Sequence, residues 1–389
     1  MKTKCFCGVN AYIDGKIRKT SILFADRILS VGDFCDKDLS AEVERIFLPG
    51  GAIVLPGFID EHIHGAVGAD VMDGDEAGLG RMARAVAGEG TVAFLATTVT
   101  ASEEKTLGSL EAVNRYLSSD EAAFGAEICG VHLEGPFLSE EYAGAMNKNY
   151  LRSPDEKLLK KLVEKARGRV KIVTYAPEKD DGDEFLKTLS SLGIVPSVGH
   201  SAATFERVKR AVALGLKNVT HTYNAQSPLR HREAGCVGAA LLSDELNCEI
   251  IADTVHVSVP ALKLLVKNKP KDRVVLVTDS MRAKGAGDGI SEIGGQKVIV
   301  KGDEARLENG TLAGSILKMN VAVRNMIEKV GVPFADAVNF ATINPARALG
   351  LDGELGSISV GKRACFAVVD EKIDVLATVR DGNAIYGEF

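Results

Sequence analysis

The chain has 389 residues, 46% of them hydrophobic, which is enough to bury a large core and favours one large domain with a small satellite. The net charge of −6 excludes the basic stripe that nucleic-acid binding requires, so no nucleic-acid partner is expected. The N-terminus lacks a signal-peptide core, no run of about 18 apolar residues could span a membrane, and the seven scattered cysteines suit a reducing compartment. We therefore expect a cytoplasmic protein with no membrane partner.

Both ends of the chain predict short β-strands and no long helix. Strand-like runs occur at 5–11, 17–22, 27–32 and 45–48, and again at 364–370, 373–379 and 384–386. Asp14-Gly15 and Asp381-Gly382 stand between neighbouring runs, as expected for tight turns. The sequence therefore predicts one small β-sandwich domain built from residues 1–55 and 356–389.

The middle of the chain, residues 56–355, predicts alternating strands and helices. Strands are expected at 58–62, 91–99, 127–134, 170–175, 194–199, 217–221, 248–253 and 273–279. Helices are expected at 75–88, 103–117, 154–166, 183–192, 203–214, 260–267 and 319–330. Eight strands with intervening helices predict an α/β fold, a (β/α)₈ TIM-like barrel. In a late insert, 294–314, Glu308-Asn309-Gly310-Thr311 predicts a type I′ hairpin turn.

The segment LPGFIDEHIHG contains two histidines, His62 and His64, at the end of the first barrel strand. Alternate side chains of a strand share a face, so both imidazoles point the same way and could clamp a divalent metal. Taken alone, such a pair is more often two separate core or surface histidines. The placement of the other histidines reverses that preference.

Further polar residues stand at the carboxyl ends of the later strands, where barrel enzymes keep their chemistry. They are Glu134, His200, His221, His256 and Asp279. With His62 and His64, five of the seven histidines occupy such positions. This pattern predicts a metal hydrolase site.

Glu134, His200 and His221 form a His₂-carboxylate set, which leaves one tetrahedral position for water. A bound metal would lower the pKa of that water, and Asp279 could accept its proton and pass it to the leaving group. Asp279 could alternatively be a helix cap. His132 is interpreted as a deeper packing histidine and His231 as a loop residue.

A series of motifs covers essentially the whole chain: PGFIDEHIHG, HLEGPF, VGHS, THTYNA, IADTVHV, VTDS, NGTLAGS, ATINPARALGL and GSISVGKRA. In this order and spacing they resemble the amidohydrolase superfamily, and within it the N-acetylglucosamine-6-phosphate deacetylases. The resemblance implies hydrolysis of the acetamide of N-acetyl-D-glucosamine 6-phosphate to glucosamine 6-phosphate and acetate. It implies one or two divalent metals per subunit, the first on Glu134, His200 and His221, and a second that His62 and His64 can hold. Zinc is the expected metal, although iron, cobalt and manganese suit similar sites.

The resemblance also implies substrate contacts. Asn224 and Ala225 match a turn that holds the sugar phosphate, and His256 matches a residue that bonds sugar hydroxyls. Arg232 matches an arginine that reaches the phosphate in the neighbouring subunit, which implies a homodimer.

One residue departs from the family pattern. Met146 stands where related proteins usually have a histidine that bonds the acetyl carbonyl, and a thioether cannot donate a hydrogen bond. A second metal on His62 and His64, or Asn147 or Lys148, could replace that histidine. Otherwise the substrate would be a different N-acyl amino sugar or an N-acyl amino acid. A third hypothesis, a non-enzymatic sugar-phosphate sensor, is disfavoured because every metal ligand and Asp279 are retained.

Overall fold

The computed structural model describes residues 2–34 and 39–388. Its strands are β1 Lys4–Ile13, β2 Lys16–Phe24, β3 Ile28–Gly32, β4 Glu44–Ile46, β5 Ile53–Pro56, β6 Phe58–Ile63, β7 Gly65–Ala66, β8 Ala69–Asp70, β9 Thr91–Thr98, β10 Glu127–Glu134, β11 Val170–Tyr175, β12 Val195–Val198, β13 Asn218–Val219, β14 Asn247–Ile251, β15 Val274–Val277, β16 Gly289–Ile293, β17 Gln296–Lys301, β18 Glu304–Leu307, β19 Phe366–Val369, β20 Val375–Arg380 and β21 Asn383–Tyr386. Its α-helices are α1 Glu76–Ala87, α2 Glu103–Leu117, α3 Glu156–Lys165, α4 Glu184–Ser191, α5 Phe205–Ala213, α6 Gly235–Leu242, α7 Val259–Asn268, α8 Met319–Asn325, α9 Phe334–Ala341 and α10 Ile343–Ala348. Within these described ranges no helix combines the length and the apolar character needed to cross a membrane.

Eight parallel strands form the predicted barrel. They are paired in the order β15, β14, β13, β12, β11, β10, β9 and β6, so each strand lies beside its neighbour in sequence. The helices between them bury their apolar faces on the barrel, and capping side chains fix where several begin. Asp75, for example, accepts the Gly78 N–H at 2.9 Å at the start of α1, and Asp155 accepts the Lys157 N–H at 2.8 Å at the start of α3.

The barrel closes between β15 and β6 just beyond the ends of the two strands. The Asp279 N–H donates to the His62 carbonyl at 2.8 Å, and the His64 N–H donates to the Ser280 carbonyl at 2.9 Å. The buried Asp60 carboxylate adds a side-chain link, accepting the Thr278 O–H at 2.6 Å and its N–H at 3.2 Å. This seam sets His62, in β6, and His64, just after it, directly beside Asp279.

Three helices of the barrel were not predicted: α6, α9 and α10. The sequence of α6, GCVGAALL, contains no polar residue, and in the structure all of its residues except the last are buried. A helix without amphipathic periodicity gives no helical signal, and its two glycines further weaken that signal. Pro345 breaks the pattern of α10 in the same way.

The insert forms a three-stranded antiparallel sheet, β16–β17–β18. The type I′ turn predicted at 308–311 was wrong. Two successive positive φ angles, the requirement of that turn, occur instead at Gly294 (56°) and Gly295 (79°), between β16 and β17. Asn309 does not adopt a positive φ, and 308–311 forms a different turn in which the Gly310 N–H donates to the Leu307 carbonyl.

The chain termini share a second sheet. Strands β1 to β5 and β19 to β21 belong to one sheet, and β5 joins the two ends of the chain because it pairs with both β1 and β19. Asp14-Gly15 and Asp381-Gly382 make the predicted tight turns, each with two positive φ angles. Phe6, Phe24 and Phe366 meet in a separate apolar core with ring centroids 4.9–5.7 Å apart. The fold class is confirmed, whereas the exact domain division at residues 55 and 356 stays a prediction.

Replacing Phe366 by alanine should destabilise this terminal sheet. The side chain is fully buried between two other rings, so its loss leaves a cavity and should lower the free energy of unfolding by about 3–5 kcal/mol. Urea unfolding followed by circular dichroism measures the change. Phe124→Ala, at a ring that is 61% exposed, is the matched control and should change the free energy little. Equal losses in the two variants would contradict a separate terminal core.

Candidate metal centre and active site

A cavity of about 310 Å³ opens at the carboxyl ends of the barrel strands. That volume lies at the lower end of the range for small-molecule sites. Most of the site residues singled out in the sequence line it: His64, Glu134, Met146, His200, His221, Asn224, Ala225, His256 and Asp279. His62 lies beneath this surface, fully buried behind His64. Arg232 does not line the cavity and lies exposed in the loop before α6.

The first group of donor atoms comes from the third, fifth and sixth barrel strands. Glu134 is the last residue of β10, and His200 and His221 follow β12 and β13. Glu134 Oε1 lies 3.1 Å from His200 Nε2 and 2.8 Å from His221 Nε2, and the two nitrogens are 3.1 Å apart. Three donor atoms therefore surround one point, as the ligands of a catalytic metal do.

The second group lies on the other side of Glu134. His64 Nε2 is 3.1 Å from Glu134 Oε2, 3.1 Å from Asp279 Oδ1 and 3.3 Å from His62 Nε2. Glu134 thus offers one carboxylate oxygen to each group. Both groups are able to hold a metal ion.

Three of the four imidazoles are oriented by contacts at their Nδ1 atoms, whereas His221 Nδ1 is buried without a hydrogen-bond partner among the described residues. His200 Nδ1 donates to the Tyr142 carbonyl at 2.8 Å, and His64 Nδ1 donates to the Thr97 carbonyl at 3.2 Å. His62 Nδ1 donates to the buried Glu249 carboxylate at 3.0 Å. With Nδ1 protonated, the lone pair of a neutral ring lies on Nε2 and points at the centre, which is the arrangement of metal-ligating histidines.

Glu134 and Asp279 are buried, and their carboxylates are stabilised by positive charge between the donor atoms. Burial alone would raise the pKa of Glu134, but nearby His62 and hydrogen bonds from His200 and His221 hold it well below its usual range. Burial would lower the pKa of His64, but hydrogen bonds to Asp279 and Glu134 raise it to about 10. Burial would likewise raise the pKa of Asp279, which His62 and His64 lower to about 2. Protons supply the positive charge here, and a divalent cation could take their place.

A third group, His62, His132 and Glu249, fits a metal poorly. His132 Nδ1 lies 3.2 Å from the Glu61 carbonyl and Nε2 lies 2.7 Å from Thr174 Oγ1, so both ring nitrogens are engaged. Burial and the neighbouring His62 hold the pKa of His132 well below its usual value. His132 therefore packs as a neutral histidine, as the sequence indicated, and His231 is an exposed loop residue.

Three of these functional side chains leave their strands on an unusual backbone. His200, His221 and Asp279 have φ angles of 47°, 29° and 47°, in the left-handed region that residues other than glycine seldom adopt. Such conformations cost about 1–3 kcal/mol each and persist where the surrounding contacts enforce them.

The lining of the cavity contains both polar and apolar side chains. His256 and Asn224 are polar, and His256 Nδ1 lies 2.6 Å from the Asp253 carboxylate. Val99, Met146 and Ile293 belong to one buried apolar cluster and form an apolar wall, and Leu312 is a further apolar lining residue. Met146 is fixed there because its sulfur accepts the Thr100 N–H at 3.4 Å. The insert thus supplies part of the apolar wall through Ile293.

Sequence reasoning missed several supporting residues: Asp60, Val99, Glu249, Asp253 and Ile293. Glu249 had a detectable signal, since a carboxylate inside the otherwise apolar β14 must find a buried partner. Ile293 had none, because only the folding of the insert over the barrel brings it to the cavity.

The model of the amidohydrolase family matches residues 53–385, which include every donor residue described above. The chain belongs to the amidohydrolase family. Among its relatives, the N-acetylglucosamine-6-phosphate deacetylase of Bacillus subtilis (strain 168) is 42% identical over 344 residues, which cover 88% of this chain and 87% of the relative. The N-acetylgalactosamine-6-phosphate deacetylase of Escherichia coli O157:H7 is 37% identical over 325 residues, which cover 83% of this chain and 85% of that relative.

The crystal structure of N-acetylglucosamine-6-phosphate deacetylase from Pasteurella multocida superposes with a TM-score of 0.91 at 29% identity, covering 98% of this chain and 99% of the other. This amidohydrolase therefore matches such enzymes over both the barrel and the terminal sheet. Its class follows from the same comparisons: it is a hydrolase acting on an amide C–N bond.

Proposed function

We propose that this protein hydrolyses the acetamide of N-acetyl-D-glucosamine 6-phosphate, giving glucosamine 6-phosphate and acetate. The observation that carries the proposal is the convergence of Glu134, His200 and His221 beside Asp279 in one cavity. The names of the relatives reported above supply the substrate. Asn224, Ala225 and His256 line the same cavity and are proposed to bind the sugar phosphate.

We propose one or two divalent metals per subunit, held by Glu134, His200 and His221 and, for a second ion, by His62 and His64. Two imidazoles and a carboxylate suit zinc, and iron, cobalt and manganese accept similar donors. A bound divalent cation would acidify a coordinated water and polarise the acyl carbonyl. The two oxygens of Glu134, each directed at a separate group of histidines, support the count of two.

In this proposal Asp279 moves the proton. An aspartate is ordinarily a carboxylate at neutral pH, and the side chain of Asp279 is partly exposed to the cavity, unlike that of Glu134. It can accept a proton from the attacking water and return it to the departing amine nitrogen. We assign the acyl methyl group, the one apolar substituent of the substrate, to the apolar wall of Val99, Met146 and Ile293.

Replacing Asp279 by asparagine should reduce kcat about 10²–10⁴-fold, because the amide cannot accept the water proton. Turnover of the metal-loaded variant with a coupled acetate assay measures this. Asp272→Asn, at an exposed aspartate near the opposite end of the same strand, is the matched control and should retain full activity. Undiminished turnover by Asp279→Asn would rule out this proton route.

The substrate is tested by comparing N-acetylglucosamine 6-phosphate with unphosphorylated N-acetylglucosamine on metal-loaded protein. A strong preference for the phosphate is expected, and metal removal should abolish turnover. N-acetylgalactosamine 6-phosphate belongs in the panel, because one relative carries that name. Longer N-acyl groups and an N-acyl amino acid test the alternative substrates suggested by Met146 and the apolar wall. If any of these compounds is hydrolysed faster than N-acetylglucosamine 6-phosphate, that compound and not the proposed one is the preferred substrate.

We further propose a homodimer in which Arg232 binds the phosphate in the partner's site. The guanidinium is exposed outside its own cavity, Leu229 is exposed in the same loop, and Leu242 is exposed at the end of the following helix α6. Sedimentation should give the mass of two chains, and Arg232→Ala should raise KM for the phosphate substrate with kcat little changed. Arg115→Ala, at an exposed helical arginine, should leave KM unchanged. A monomer with full activity would contradict the assignment.

We also propose a cytoplasmic location. Cys7, Cys129, Cys236, Cys248 and Cys365 are free thiols. Proteins of oxidising compartments more often join such cysteines in disulfides, so free thiols support a reducing environment.

A further inference from the structure

The fourth barrel strand, β11, places no side chain in either donor group around Glu134. Its carboxyl end continues into a short turn, Pro177–Lys179, which carries Glu178. The carboxylate of Glu178 reaches sideways to the loop after β12. Oε2 accepts the Ser201 O–H at 2.6 Å, and Oε1 accepts the Ala202 N–H at 2.6 Å.

The two donors follow His200 directly in the chain, and His200 has the strained φ of 47°. This backbone conformation aims the imidazole at Glu134 Oε1, 3.1 Å away. Neutral contacts also hold the loop, since the His200 carbonyl accepts the Ser139 N–H at 2.8 Å and the Ser201 N–H donates to the Ala225 carbonyl at 3.2 Å. Glu178 adds two shorter hydrogen bonds, both at 2.6 Å, because its carboxylate accepts from each of the two residues that follow His200.

The turn that carries Glu178 is itself held from the other side. Arg207, in the helix α5 that follows His200, donates through Nε to the Pro177 carbonyl and through Nη2 to the Asp180 carbonyl, both at 2.9 Å. Glu178 therefore lies between two points anchored by Arg207. The turn after β11 and the segment from His200 to α5 therefore hold each other in place: Glu178 accepts hydrogen bonds from the start of that segment, and Arg207 donates hydrogen bonds back to the turn.

We propose that Glu178 is a positioning residue that holds His200 in the geometry of a metal ligand. The proposal rests on the proposed role of His200 as a ligand. Glu178 acts through its two hydrogen bonds and not through its charge. The fourth strand thus serves the metal centre by bracing a ligand that the fifth strand carries.

Zinc binding to metal-free full-length protein tests this proposal without any sugar present. Competition with a chromophoric chelator gives the Kd, and the visible spectrum of the cobalt-loaded protein reports ligand geometry. Glu178→Ala should raise the Kd of one zinc equivalent by about 10–100-fold, as loss of residues that orient metal ligands does. The cobalt spectrum should change as well.

Glu178→Gln separates hydrogen bonding from charge. Its amide oxygen can still accept the Ala202 N–H, and its NH₂ can donate to Ser201 Oγ once that hydroxyl rotates. The glutamine variant should therefore bind zinc within a few-fold of the wild type. A glutamine variant as weak as the alanine variant would show that charge is responsible and would overturn the positioning role.

Asp180→Ala is the matched control from the same loop. Its carboxylate accepts the Phe185 and Leu186 N–H groups at the start of α4 and makes no contact with the His200 loop. It should lower Tm but leave the zinc Kd unchanged. Equal weakening by Asp180→Ala, or wild-type affinity in Glu178→Ala, would refute the proposal.

If Glu178→Ala does not fold, Ser201→Ala removes one of the two bonds and should raise the Kd by a smaller factor, whereas an unchanged Kd would refute the proposal. A wild-type protein that binds no zinc would overturn both the metal site and this inference. A zinc-binding protein inactive on amino-sugar phosphates would overturn only the proposed substrate.

Discussion

The structure depends on the burial of one carboxylate. Glu134 is almost completely removed from water, and an ionised carboxylate in that position is costly unless positive partners surround it. The chain meets this requirement with four imidazoles drawn from three different strands, two facing each oxygen. The same arrangement that makes the carboxylate tolerable creates two sets of donors that attract divalent cations.

Holding so many polar groups together requires a scaffold that resists relaxation. The strained backbones at His200, His221 and Asp279 persist because neighbouring loops are hydrogen-bonded to one another across the barrel mouth. Asp60 closes the seam between the first and eighth strands, and Glu249 fixes the ring of His62. These two buried carboxylates do not line the cavity, yet they contact the residues that form the donor groups and so set their geometry.

The cavity combines an ionic centre with an apolar wall, and this combination matches an amide whose acyl group is apolar and whose amine part is a polar sugar phosphate. The wall depends on the insert between β15 and α8, since Ile293 packs with Val99 and Met146. A methionine in this wall removes a hydrogen-bond donor and adds apolar surface. Met146 itself cannot polarise an acyl carbonyl, and a divalent cation held by the two donor groups would supply that polarisation.

The sequence by itself determined the barrel, the terminal strands and the donor residues. Strand periodicity revealed the eight strands, and the carboxyl ends of parallel strands must meet at one edge, so His62, Glu134, His200 and Asp279 were expected together. Tertiary structure alone decided which residues support them. Helix α6 lacks a polar face, Ile293 arrives by folding of an insert, and Glu178 reaches a loop 23 residues away. Such contacts depend on how loops pack, which local periodicity does not encode.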